Sequence, residues 1–294
     1  MTCFDRIAPH CTVIIPAYNE AQVIKNTLKR LLASNHLRPY MQIIVACNGC
    51  EDDTVAIARK TAPDALVLDL VTPSKTAALN AALVHAKSDH IVFLDADIET
   101  SGAAVMRLVS ALQTSGKSLA YGRADYDLTG CSSAVRSFYS VWKQSSYFDK
   151  KKVGGFFAVS KDGLNLIAPF PKLTNDDEWV RRRLIHDSVY VGDAGYRVRL
   201  PQTLNALIGV RARVYRGNAQ LDMQGLATAQ TEAAKFKLAR RVMIRPHLWP
   251  AFAIFVYVAI KAMRLKARQK QSWNQDKSAR QAVANEAVAV RPLP

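Results

Sequence analysis

An α/β architecture with a doubly wound, mainly parallel sheet follows from three observations. Short β-branched runs alternate with helical repeats from Thr12 to Gln113. Most of these runs end on a cluster of polar residues. Hydrophobic residues make up 49% of the 294, enough to bury a large core. A disordered chain would be poorer in apolar and aromatic residues.

The elements read in order. Thr12–Ile15 is a buried strand closed by Pro16. Glu20–Ser34 carries Val23, Ile24, Leu28, Leu31 and Leu32 at helical spacing. Gln42–Cys47 is a second buried strand, stopped by Asn48-Gly49. Thr54–Thr61 reads as a helix ended by Pro63, and Leu66–Leu70 as a third strand. Lys75–Ala86 is an alanine-rich helix, Ile91–Leu94 a fourth strand, and Ala103–Gln113 another helix. Beyond Ser118 the alternation stops. Leu119–Tyr126, Phe156–Val159 and Arg197–Leu200 read as extended, and Ser132–Tyr147 and Asp176–Ile185 as helical. The chain therefore divides into 1–118, a second α+β half of the same domain at 119–220, a basic and apolar segment at 221–270, and a loose polar tail at 271–294.

In an open parallel sheet, ligands sit beyond the carboxyl ends of the strands, where strand order reverses. Three polar clusters fall there: Pro16-Ala17-Tyr18-Asn19-Glu20, Asn48 to Asp53, and Asp95-Ala96-Asp97. So many carboxylates on one rim repel one another unless a cation or hydrogen-bond donors compensate. Two aspartates one residue apart can share Mg²⁺ or Mn²⁺, hard ions completed by water and phosphate oxygens. The competing reading makes Asp97 the cap of the following helix. Spacing alone leaves both open.

The set Val13-Ile-Ile-Pro-Ala-Tyr-Asn-Glu20, Ile43 to Thr54, Lys75-Thr-Ala-Ala-Leu-Asn80 and Ile91-Val-Phe-Leu-Asp-Ala-Asp97 resembles the family-2 glycosyltransferases of GT-A fold. Weaker matches follow at Gly154-Gly155-Phe156-Phe157 and Asn175-Asp176-Asp177-Glu178. The resemblance implies an inverting transferase that takes a sugar from a nucleotide-sugar donor. It places Pro16, Ala17, Tyr18 and Glu20 along base and ribose, Asp52 on the base, and Asn48 and Lys75 near the nucleotide. Asp95 and Asp97 become the metal pair, with Asp97 the direct ligand of Mg²⁺ or Mn²⁺. Asp177 becomes the catalytic base, supported by Asp176. Without the resemblance, that acidic pair reads as a helix start that complements the dipole. Likewise, Lys75 alone reads as a solvated helix start.

Two departures stand out. Many relatives carry Asp where this chain has Cys47, and a thiol is a poor acceptor for a base N–H. The Gln-x-x-Arg-Trp motif of processive synthases is absent; Arg211, Arg213 and Arg216 occupy that region and reach the diphosphate or form a basic helix face. Cys47-x-x-Cys50 has no second pair for a zinc site and reads as reduced thiols flanking a turn, with a redox pair the lesser reading. His186, Tyr139, Trp142, Tyr147 and Phe148 read as structural rather than as metal or sugar contacts.

The net charge of +16 is uneven: from Lys235 on, thirteen Lys or Arg face two carboxylates. Within that stretch Leu248–Ile260 is apolar except for Tyr257, shorter than a spanning helix needs, with basic residues on both flanks. That pattern suits a helix at an anionic membrane surface, with a tilted span or a buried core helix as alternatives. No recognition motif supports nucleic acid. Met1–His10 holds no apolar signal core, so the expected place is the cytoplasm, at or in the cytoplasmic face of the membrane. The acceptor would then be a glycan or lipid-linked, in envelope polysaccharide synthesis. A sugar nucleotidyltransferase would need a glycine-rich basic loop after the first strand, which Pro16–Glu20 is not. A non-catalytic scaffold is the other alternative.

Overall fold

The structure is a computed structural model, and it describes residues 10–145, 152–226 and 231–268. The tail at 271–294, with Tyr147 and Phe148, lies outside the described residues. The chain forms two compact units. The first takes the described residues up to Asp125, Val153–Lys172 and Arg183–Val198; the second takes those of Tyr126–Lys152, Leu173–Arg182 and Arg199 onward.

The first unit is built on an eight-stranded sheet of order β3-β2-β1-β4-β7-β6-β8-β5. Its strands are β1 Cys11–Ala17, β2 Met41–Asn48, β3 Leu66–Leu70, β4 Ile91–Leu94, β5 Ile98–Glu99, β6 Leu119–Asp127, β7 Phe156–Val159 and β8 Ser188–Arg199. β3, β2, β1 and β4 run parallel, as the alternation predicts. β7 returns antiparallel to β4, β6 antiparallel to β7, and β5 antiparallel to β8. β1 and β4 are buried throughout and read as unbroken apolar runs, the mark of strands covered on both faces. The switch in strand order falls between β1 and β4, so their carboxyl ends open a crevice.

β1 does not stop at Pro16 but runs through it to Ala17. Thr12 donates its N–H toward the β4 side, to His90 O at 3.0 Å, so Pro16 faces that side too. Pairing with β4 ends at Ile14, so no ladder bond is lost where proline lacks its donor.

Helices pack on this sheet: α1 Ile24–Leu31, α2 Thr54–Thr61, α3 Lys75–Leu83 and α4 Gly102–Ser115. α1 buries Ile24, Thr27, Leu28 and Leu31, one stripe at helical spacing. α4 starts on Ser101, whose hydroxyl accepts from Ala104 N, and ends on Gly116 at φ 64°. Ser101 thus holds the cap that sequence spacing offered to Asp97. α6 Lys161–Ile167 follows β7.

The second unit is helical: α5 Ser133–Trp142, most of α7 Asp176–Leu184, α8 Leu204–Leu221, α9 Thr231–Met243 and α10 Trp249–Arg268. Its core joins Val135, Phe138 and Tyr139 of α5 to Leu207 of α8 and Val258 of α10. Phe138 and Phe255 stack with ring centres 5.0 Å apart. Tyr139 is therefore core, as expected, while Trp142 is half-buried beside it. α10 runs well past Ile260, where the apolar run ends. Pro246–Lys266 is long and apolar enough to cross a membrane, with mean hydropathy 1.5, and only 17% of its most apolar window is buried. One face packs through Ile254, Phe255 and Val258; the other exposes Trp249, Val256, Tyr257, Ile260 and Met263.

Candidate functional site

In the first unit the three polar clusters meet at the carboxyl ends of β1, β2 and β4. Asp95-Ala96-Asp97 forms the turn from β4 into β5. Four contacts fix it. Asp95 N donates to Gly155 O at 2.8 Å, and Ile98 N to Asp95 O at 3.1 Å. Thr27, buried on α1, donates its hydroxyl to Ala96 O at 2.7 Å. Lys75 Nζ lies 2.7 Å from Asp95 Oδ1, with side-chain exposures of 15% and 33%. Lys75 is the first residue of α3, aimed by the Ser74 cap that accepts from Ala77 N. Lys75 is thus an ion-pair partner of Asp95 rather than a solvated helix start. Gly155 is required here: a Cβ would fall 2.1 Å from Asp95 Oδ2. Glu99, buried on β5, pairs with Arg30 of α1 at 2.9 Å and ties the far side of the turn.

Asp97 is left on the exposed side of the turn. Among the described residues no cluster of three or more His, Cys, Asp or Glu could hold a metal. The protein therefore offers two carboxylates, one exposed and one steadied by a lysine. That donor set fits a hard divalent cation completed by water and substrate oxygens, and not a closed structural site.

The first two clusters brace each other. Asn19 adopts φ 52°, the left-handed region that asparagine tolerates better than most side chains. From there its Oδ1 accepts from Glu51 N at 2.8 Å, and its N–H reaches Cys50 Sγ at 3.4 Å. Asp52 accepts from Ala21 N at 3.1 Å and from Thr54 N at 3.0 Å. Thr54 Oγ1 also donates to Asp52 and accepts from Glu20 N. Asp52 therefore staples the β1 and β2 loops while its side remains exposed. Asn48 Nδ2 donates to Ala17 O at 2.9 Å, and its buried Oδ1 has no partner among the described residues. Pro16, Ala17 and Glu20 are buried, and Tyr18 is half-buried. Asn80 exchanges two hydrogen bonds with Phe170 backbone, which explains the end of the Lys75–Asn80 motif as an anchor.

Cys47 sits buried in β2, paired in register with Ala17 and Asp69. It donates to Cys50, and that bond with burial drives its own thiol far up. The same bond lowers the Cys50 thiol to about 6.

In the second unit Asp176, Asp177 and Glu178 form the first turn of α7. Asp176 is buried and Asp177 half-buried. Glu178 is held by Arg181 at 2.6 Å and Arg182 at 2.8 Å. Arg182 also reaches Asp222 at 2.7 Å. Asn175 donates to Val214 O at 3.0 Å and Asn218 Oδ1 at 2.9 Å on α8, where Gly217 leaves it room. Lys152 faces the rings of Tyr126 at 4.4 Å and Trp142 at 5.0 Å. Burial and Arg211 lower its amine to about 8, against the pull of Asp177. Lys152 was missed in the sequence because it stands in an irregular basic run without periodicity. Arg213 lies half-buried on α8, and His186 is exposed in the first unit.

The model of glycosyl transferase family 2 matches residues 12–162. Glycosyltransferase AglE of Haloferax volcanii is 26% identical over 199 residues, 64% of this chain and 63% of its own length. The probable glycosyltransferase YdaM of Bacillus subtilis is 24% identical over 273 residues, 85% of this chain and again 63% of its own length. The chain thus spans under two thirds of these relatives. An undecaprenyl-phosphate 4-deoxy-4-formamido-L-arabinose transferase of Pseudomonas savastanoi is 30% identical over 105 residues, 34% of this chain and 31% of its own. Among solved structures, a mannosyltransferase from Pyrobaculum calidifontis in complex with GDP-Man and Mn²⁺ superposes with TM-score 0.58 at 19% identity. That match covers 96% of this chain and 81% of the other. Glucosyl-3-phosphoglycerate synthase from Mycobacterium tuberculosis, with Mn²⁺ and UDP, gives 0.53 at 20% identity over 75% and 82%. Both likenesses concern the fold, which is GT-A.

Proposed function

The chain belongs to glycosyl transferase family 2, and we propose that it moves a sugar from a nucleoside-diphosphate sugar to a hydroxyl of a glycan or lipid-linked acceptor, with inversion. The observation that carries this is the Asp95-Ala96-Asp97 turn. It sits at the switch point of the sheet, is fixed from β7, α1 and α3, and still leaves Asp97 exposed.

Asp97, with Asp95 behind it, would hold Mg²⁺ or Mn²⁺. When bound, that ion supplies Lewis-acid neutralisation of the leaving diphosphate. Lys75 holds the Asp95 carboxylate in place. Pro16, Ala17, Tyr18, Glu20, Asn48 and Asp52 border the nucleotide, and Arg213 contributes positive charge toward its diphosphate. Asp177, steadied by Asp176, accepts the proton of the acceptor hydroxyl. One base and one displacement at a carbon of oxocarbenium character invert the anomeric centre. The undecaprenyl-phosphate relatives and the outward apolar face of α10 support a lipid-linked acceptor taken at the cytoplasmic face of a membrane.

The test is a panel of nucleotide sugars incubated with the full chain, with and without Mn²⁺ or Mg²⁺. Cation-dependent release of nucleoside diphosphate from one donor is expected. Nucleotide binding with no turnover of any donor would make the chain a scaffold instead.

A further inference from the structure

A second basic cluster lies in the helical unit, built from residues that the proposed function does not use. A cavity of about 390 Å³ opens between α5 and the segment leading into α10. Its wall carries Arg136, Lys143, Arg245 and His247, with Leu128 and Leu248 as its apolar part. Among the described residues no carboxylate lines it. Among the described residues, no carboxylate comes within ion-pair distance of Arg136, Lys143 or Arg245 either. Elsewhere in the chain arginines pair readily, as Arg182 does with Glu178 and Asp222.

The two arginines are held by one bond each. Arg136 Nε donates to Cys131 O at 3.0 Å. Arg245 donates through Nη1 to the Gln144 side chain, and Arg241 donates to Gln144 O at 2.7 Å. A guanidinium has five N–H donors, so each arginine keeps others for a ligand. Fixed, uncompensated guanidinium groups around a concavity are a recognition site for phosphate oxygens.

What surrounds the cavity says where that phosphate comes from. Leu248 in its wall precedes the first residue of α10, whose outward face exposes Trp249, Val256, Tyr257, Ile260 and Met263. Earlier in the chain Phe236, Met243 and Ile244 are 74, 71 and 72% exposed. From Phe236 to Arg268 the chain has eight Lys or Arg and no carboxylate. A phosphate pocket beside the exposed Ile244 and Trp249, at the start of a helix with an outward apolar face, matches one ligand chemistry, a phosphodiester attached to acyl chains.

We propose that the Arg136–Lys143–Arg245 cavity binds the headgroup phosphate of an anionic phospholipid, and so sets the depth and rotation of α10 at the membrane. The inference rests on the reading of α10 as an interfacial helix and adds a specific lipid site to it.

The experiment is sedimentation of the full chain with vesicles of phosphatidylcholine alone or mixed with phosphatidylglycerol. Wild type is expected to bind the mixed vesicles and to bind the neutral ones weakly. Each basic contact at an anionic surface is worth about fivefold, so Lys143→Ala with Arg245→Ala should weaken binding at least 25-fold by roughly that rule. The control removes two exposed charges outside the cavity, Lys237→Ala with Arg264→Ala, and should cost no more than that smeared-charge figure of about 25-fold, whereas the cavity pair, which would hold the phosphate by charge-assisted hydrogen bonds, should cost about tenfold more than the control. A second control, Ile260→Ser with Met263→Ser, should weaken binding to both vesicle types. If the cavity pair and the charge control fall equally, the cavity is not a site. If the cavity pair binds like wild type while the serine variant is lost, α10 is interfacial and this proposal is wrong. If wild type ignores both vesicle types, the lipid site and the interfacial reading fall together. If wild type holds inorganic phosphate and the cavity pair does not, while both sediment equally with mixed vesicles, the cavity takes free phosphate and the lipid assignment is overturned.

Discussion

The strand-end rim around Asp95 and the helix start around Asp177 both consist of carboxylates and their cations, but the two are held differently. At the rim the contacts end mostly on backbone groups: Asp95, Ala96 and Ala21 are held through main-chain atoms, with the Lys75–Asp95 ion pair added. At the helix start, side chains hold side chains, with Arg181 and Arg182 on Glu178 and Asn175 on Asn218. A rim fixed by backbone can present exposed carboxylates without losing shape. A helix start fixed by ion pairs depends on every partner being present.

That contrast can be broken, and the largest effect is expected at Gly155. Its Ala variant places a methyl group on Asp95 Oδ2. Moving a reacting group by about 1 Å costs on the order of a hundredfold in rate, so turnover should fall about a hundredfold while thermal unfolding shifts little. Activity unchanged in Gly155→Ala would mean that the turn is not the site. Next comes Arg182→Ala. Removing one member of a buried ionic network costs about 3 kcal/mol, and denaturant unfolding should report it as a lower midpoint. A loss under roughly 1 kcal/mol would place Arg182 among ordinary surface pairs.

Lys75→Met should then weaken metal-dependent nucleotide binding about tenfold, a charge-assisted contact's worth, measured by calorimetry with and without Mn²⁺. Equal loss in both conditions would detach Lys75 from the metal pair. Thr27→Val removes one hydrogen bond to Ala96 O and should cost about 1 kcal/mol of stability. The smallest effect is chemical. Cys50 should react with iodoacetamide as its thiolate, at a rate that falls as pH drops through about 6. Cys11, whose thiol burial pushes up to about 12, should stay inert. A Cys50 labelling rate that falls off already near the ordinary thiol range, about 8.5, would remove the Cys47 hydrogen bond from the account.

The same contrast explains what the sequence made legible. β1, β2 and β4 are unbroken buried runs, so their places and the polar clusters after them could be read directly. β8 could not: it is half-exposed along most of its twelve residues and carries Gly192 and Gly195, so only its end read as extended. α8 was offered only as a basic helix face, one of two alternatives, because Arg211, Arg213 and Arg216 interrupt its apolar stripe. α10 was read short because its last turns carry Lys261, Arg264, Lys266 and Arg268 on a helix packed through one face only. Whether Asp97 capped a helix was open on spacing and was decided by Ser101, which takes that cap. The Lys75–Asp95 pair joins residues twenty apart on different elements, and no local pattern announces it.

In the proposed function Asp177 is the base of the glycosyl transfer and Asp97 the metal ligand. This assignment is tested most directly with the donor that the nucleotide-sugar panel identifies, comparing wild type, Asp97→Asn and Asp177→Asn for nucleotide binding and for transfer. Asp177→Asn should bind donor with Mn²⁺ as wild type does and lose transfer by about a hundredfold or more, while Asp97→Asn should lose the cation's effect on binding. Transfer at the wild-type rate by Asp177→Asn would contradict the account.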